Sequence, residues 1–118
     1  MIRIENHLGN IEIDEHYFSD LIGHTVINCF GVAGMANSGP TQGLRSLLFR
    51  GKDYIDQGVR VRSLGNDLIL DLHIYVTYGV NIEAIVDSIT NKVRYTVERA
   101  TSLAVQKINV YVDGIKEN

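Results

Sequence analysis

The chain has 118 residues, enough for one hydrophobic core and too few for two. With 45% hydrophobic and 21% charged residues it is neither a disordered tail nor a fibrous repeat, and a formal net charge of -3 leaves no cationic excess for a nucleic-acid footprint. No apolar run reaches the ~20 residues of a bilayer span, and the MIRIENHLGN start lacks a signal-peptide pattern, so one cytoplasmic domain covering 1–118 is expected.

The opening IRIENHLGNIEI carries isoleucines at 2, 4, 11 and 13 around a polar, glycine-containing break, which predicts a hairpin with all four on one face. Asp14 then stands as an N-cap. Phe18, Leu21, Ile22, Thr25, Val26 and Cys29 follow at helical spacing, predicting an amphipathic helix from about Glu15 to Cys29 with Gly31 as its stop. Cys29, the single cysteine, has apolar neighbours and reads as a small buried hydrophobe. The stretch GVAGMANSGPTQG, Gly31 to Gly43, concentrates glycine, serine, asparagine and the only proline and is expected to be irregular. LRSLLF adds a turn or two of helix.

From Gly58 the pattern becomes β. VRVRSL alternates, LGND is a tight turn, and LILDLHIYVTY is a long second arm. Leu68, Leu70, Leu72, Ile74, Val76 and Tyr78 point one way, and Ile69, Asp71, His73, Tyr75 and Thr77 the other. Ile82, Ile85, Val86, Ile89, Val93, Val97 and Ala100 then repeat at intervals of three and four. Glu83 and Asp87 near the start and Lys92, Arg94 and Arg99 towards the end agree with the helix dipole. A last strand, VQKINVYVDG, alternates Ile108, Val110 and Val112 with Lys107, Asn109, Tyr111 and Asp113. The order ββαββαβ implies an α+β, two-layer α/β sandwich, with two main helices on one face of a sheet that a parallel crossover makes mixed.

Between the long strand and the main helix, Gly79 and Asn81 form a structural junction. Asn81 is placed to cap the helix, Val80 and Ile85 occupy the two positions of a hydrophobic staple, and Gly79 supplies an unusual backbone angle or clearance. A helix N-terminus can also bind an anion, but Glu83 puts a negative charge in the first turn. Other chemistry is thin. The glycine-rich loop lacks the Gly-Lys-Ser/Thr ending of a phosphate cradle. His7, His16, His24 and His73 lack zinc-site spacing, and no serine sits in a nucleophile elbow, so no metal, no cofactor and no catalytic residue is expected.

The richest constellation is the second sheet face, where Arg60, Arg62, Asp71, His73, Tyr75, Lys107, Asn109 and Tyr111 lie together if the three strands are neighbours. Aromatics and arginine are enriched at protein interfaces, so Arg60, Arg62, His73, Tyr75, Lys107 and Tyr111 are the candidate contact residues for self-association or a protein partner. The alternative is a single-stranded RNA-binding module, with Tyr75 and Tyr111 stacking bases and Arg60 and Arg62 meeting phosphates. Asp71 and Asp113 on the same face, and the negative net charge, weigh against nucleic acid.

Several blocks resemble the bacterial alkaline-shock-protein family, also called envelope stress response proteins. They are the Gly-Val-x-Val strand at Gly58 to Val61, Tyr78-Gly79-Val80-Asn81-Ile82, and the helix with Val93, Val97 and Glu98. The exit at Thr101 and Leu103, the closing Val110-x-Val112-x-Gly114-Ile115 strand, and IEI-D and GVAGMA upstream complete the likeness. TQGLRSLLFRGKDYIDQG departs from it. The resemblance implies a small, non-enzymatic cytoplasmic protein of mainly Gram-positive bacteria, linked to cell-envelope stress. It implies self-assembly into a homo-oligomer or attachment to a membrane-anchored partner. By analogy it also implies a lipid-linked role beside a fatty-acid kinase, with no catalytic residue to carry over.

Overall fold

The computed structural model describes residues 2–36 and 58–117. They form β1 (Ile2–Asn6), β2 (Gly9–Ile13), α1 (Glu15–Ile27), β3 (Val32–Met35), β4 (Val59–Leu64), β5 (Asp67–Thr77), α2 (Ile82–Thr101) and β6 (Val105–Lys116). The architecture is the expected α+β one, a mixed sheet with two helices packed on it. It holds one strand more than the expected order. GVAGMA, expected to be irregular, contributes β3, while the loop beyond Ala36 and the LRSLLF turns lie outside the described residues.

β5 is the strand on which the sheet is built. β6 runs parallel to it from Leu68 to Thr77, while β4 pairs antiparallel with Asp67–Leu72 and β3 with Ile74–Val76. A strand has two edges, so β3 and β4 must lie end to end along the one that β6 leaves open. His73 is the joint between them: its N–H donates to the Gly58 carbonyl at 2.8 Å and its carbonyl accepts from the Ala36 N–H at 2.9 Å. β3 and β4 are thus two halves of one strand line, interrupted between Ala36 and Gly58.

The core lies between this sheet and the helices. Leu68, Leu70, Leu72 and Ile74 of β5 are fully buried, as the period of two predicts. Facing them are Phe18, Ile22 and Val26 of α1 and Ile85, Ile89, Val93 and Val97 of α2, each set spaced by four so that one stripe meets the sheet. Each such side chain contributes about 1.5–3 kcal/mol by leaving water. Cys29 is buried, and its thiol lies 3.5 Å from the Thr25 carbonyl. Tyr78, expected on the buried face, is instead 70% exposed, because β5 ends at Thr77 and the chain turns away. The β1–β2 hairpin pairs Ile2 with Ile13 and Ile4 with Ile11, placing all four on one face; burial fades from Ile2 in the core to Ile11 in solvent.

Caps fix the corners. Asp14 accepts from the His16 N–H at 2.8 Å, and Asn81 accepts from the Ala84 N–H at 3.1 Å. Val80 and Ile85 both lie beside Gly31, consistent with a staple closing the first turn of α2. At the other end, Val105 is gripped twice: its N–H donates to Glu98 Oε2 at 2.8 Å and its carbonyl accepts from Arg94 Nε at 3.4 Å.

Two glycines separate conformation from clearance. Gly79 has φ +88° with open space where a Cβ would stand, so its need is the backbone angle alone. Gly58 has φ +79° and a Cβ there would come 2.8 Å from the His73 carbonyl oxygen. Gly79→Ala should therefore cost about 1–2 kcal/mol in urea denaturation, and Gly58→Ala about 1–2 kcal/mol more because the joint itself must shift. Equal losses would refute a clearance role for Gly58. Asn81→Ala should lose about 0.5–2 kcal/mol, with Asn81→Asp close to wild type.

Candidate functional site

The face of the sheet turned away from the helices is the only place where charged, aromatic and histidine side chains of several described strands converge. Register decides its composition. Arg60 stands opposite Asp71, which stands opposite Asn109; Arg62 is opposite Ile69, and Ile69 opposite Lys107; His73 is opposite Tyr111. All six residues expected to form the face, Arg60, Arg62, His73, Tyr75, Lys107 and Tyr111, therefore share it. None of the described elements covers it, and His73 and Tyr75 are half-buried.

Asp71 is the centre of one group. It is 4% exposed, and three side chains close around its carboxylate. Arg62 Nη2 lies 3.1 Å from Oδ2, Asn109 Nδ2 donates to Oδ1 at 2.9 Å, and Arg60 Nε stands 3.9 Å from Oδ2. A carboxylate removed from water is tolerable only with such partners, since an unpaired buried charge costs several kcal/mol. The reciprocal effect matters for function: the two arginines direct their charge inward, towards Asp71.

A second group surrounds His73. Its Nδ1 is 3.0 Å from Asp113 Oδ2, and its ring stacks on Tyr111 with centroids 4.7 Å apart and planes 14° from parallel. Asp113 reaches it through a β-bulge: the β5–β6 register jumps from Ile74 opposite Val112 to Tyr75 opposite Gly114, and the extra residue re-aims the carboxylate. Next along β5, the Tyr75 ring lies against Gly114, where a Cβ would come 3.0 Å from two ring carbons, and Lys116 Nζ sits 4.6 Å from the ring centroid. The face is thus a row of rings and ion pairs, each held by the next.

An ionised Asp113 would keep the hydrogen of the imidazole on Nδ1, leaving Nε2 as an acceptor, with the ring packed against Tyr111. Among the described residues no group of three His, Cys, Asp or Glu side chains is arranged to hold a metal. A groove between the first hairpin and the β4–β5 turn, lined by Ile2, Ser63, Leu68 and Leu103, is too tight for a water-sized body. A smaller exposed apolar set, Ile27, Phe30, Tyr78 and Ile115, belongs to the other end of β5, where Thr77 donates to Gly31 and Tyr78 to Lys116.

Alternation along β4, β5 and β6 is sufficient to assign Arg60, Arg62, His73, Tyr75, Lys107 and Tyr111 to one face. It does not reveal Asp71 as a buried hub, nor the parts played by Asp113, Gly114 and Lys116. One signal is present for the last group: a glycine inside a strand pattern marks a bulge or a close approach.

Comparison with known proteins bears on the same chain. The model of the alkaline-shock-protein family, described by its "cell envelope-related function", matches residues 3–117. The protein YloU of Bacillus subtilis is 32% identical over 116 residues, covering 98% of this chain and 95% of its own. A Streptococcus pyogenes protein is 29% identical over 115 residues, covering 98% and 94%. Among solved structures, a MamM CTD variant superposes with a TM-score of 0.56 at 15% identity, over 86% of this chain and 98% of its own, a likeness of fold alone.

Removing the central acid should expose its structural weight. Asp71→Ala is expected to lose about 3 kcal/mol of stability, the lower end for breaking a buried pair, since Arg62 can swing into water. Asp71→Asn, which keeps a hydrogen-bonding group beside Asn109, should lose roughly half as much. A loss below about 0.5 kcal/mol in Asp71→Ala would mean that the arginines were never held.

Proposed function

This chain belongs to the alkaline-shock-protein family, and from that premise we propose that it is a non-enzymatic interaction module of the cell envelope whose open sheet face meets another protein. The partner is either a second copy or a membrane-anchored protein. The observation that carries the reading is the internally braced face itself: Tyr75 and Tyr111 are fixed against Gly114 and His73, so their rings lose little freedom on binding. Rigid aromatic area with a polar rim is what protein contacts use. No described helix is long and apolar enough to cross a membrane, so on this reading contact with the envelope runs through the partner.

RNA binding stands second. Arg60 and Arg62, the side chains that would meet phosphates, are turned towards Asp71, and His73 is turned towards Asp113. A phosphate would have to compete with these carboxylates.

The double variant Tyr75→Ala/Tyr111→Ala separates the readings. In light scattering and in capture from a membrane fraction, the wild-type chain should self-associate or retain a defined partner, and the variant should lose at least about tenfold in affinity. Identical behaviour of the two proteins would overturn a role for the face. Salt-dependent binding to single-stranded RNA, weakened by Tyr75→Ala, would replace this reading with the RNA one.

A further inference from the structure

We propose that two copies of this chain join through the outer edge of β6, antiparallel, about a two-fold axis at Val110. The inference deepens the self-association reading and gives it a surface distinct from the sheet face. It begins with backbone accounting. β6 is the longest described strand at 12 residues and pairs with β5 only, so among the described residues its second edge has no ladder partner. The first residue of that edge is closed. Ala104 turns its carbonyl to β5, where Leu68 N–H donates to it at 2.8 Å, so the Val105 polar groups face away from β5, and there Glu98 and Arg94 meet them. Beyond Val105 no described side chain does this.

The residues along the edge complement themselves. In an antiparallel pair related by a two-fold axis normal to the sheet, opposed residues share a face. An axis at Val110 sets Lys107 against Asp113 of the second copy, Asn109 against Tyr111, Ile108 against Val112 and Val110 against itself. Charges are matched twice per dimer. On the helix side, the half-buried Ile108, Val110 and Val112 gain an apolar neighbour each. Moving the axis to Asn109 sets Lys107 against Tyr111, and moving it to Tyr111 sets Lys107 against Ile115. Of these three registers, that at Val110 sets Lys107 against a carboxylate, the one that His73 Nδ1 approaches within the chain, so the lysine would join an existing pair.

The occupant is therefore a second copy, and the product is closed. Each chain spends the β6 edge on its own copy, and the two sheets become a continuous sheet with their polar faces side by side. Two copies of the braced face on one rigid body would engage a clustered partner with avidity.

Light scattering of the full chain across concentration should show a dimer. Lys107→Asp and Asp113→Lys should each weaken it by about tenfold, and the double reversal should recover most of that loss. Asp113→Lys also disturbs His73, so the telling comparison is the double reversal against Asp113→Lys alone. Val110→Cys in a Cys29→Ala background should form a disulfide-linked dimer under mild oxidation, and Tyr111→Cys should not. A monomer at every concentration overturns the inference, while capture of a partner through Tyr75 and Tyr111 would still stand. A dimer that neither cross-links at Val110 nor recovers on charge reversal overturns the β6 edge and leaves self-association elsewhere.

Discussion

The backbone of His73 is the point on which the sheet depends. Its two polar groups hold the last residue of one half-strand and the glycine that opens the next, so β3 and β4 act as one strand line along β5. The same residue sends its side chain to the polar face, where Asp113 and Tyr111 hold it. A disturbance at this joint therefore reaches the sheet edge and the polar face together. That coupling explains the tight approach at Gly58, where a Cβ would meet the His73 carbonyl oxygen.

The two faces of β5 are held by different forces. Towards the helices, burial of leucine, isoleucine and valine supplies most of the stability and is indifferent to direction. Towards the open side, order comes from directional contacts: a carboxylate shared by two arginines and an asparagine, an imidazole bound at one nitrogen, a ring on a glycine. Such contacts contribute little net stability, because each charge gives up part of its hydration. Their effect is to fix side chains that would otherwise sample many rotamers. The face is thereby rigid before any partner arrives.

How much of this was legible in the sequence follows from the range of each interaction. α2 was fully legible, since its apolar spacing, its Asn81 cap and its graded charges are all local. β5 was legible because strict alternation over eleven residues has one interpretation. β3 was not: four residues with a glycine have no period, and they are extended only because β5 offers them a ladder. Asp71 shows the same limit for the site. Its neighbours in sequence marked its face, but its burial is created by Arg62, nine residues away, and Asn109, 38 residues away. Tyr78 failed in the opposite direction, since alternation cannot say where a strand stops.

Family membership and geometry constrain function from different sides. The family's description places this chain in cell envelope-related work without naming an act. The structure adds that three cations of the open face are already engaged within the chain: Arg60 and Arg62 by Asp71, Lys116 by the Tyr75 ring. Arginines already paired within the chain attract little over long distances, so the proposed contact would be recognised at short range, by shape, by the rings of Tyr75 and Tyr111, and at the β6 edge by Lys107 and Asp113. On that proposal the family's envelope-related work would be done by a matching surface held ready at fixed positions.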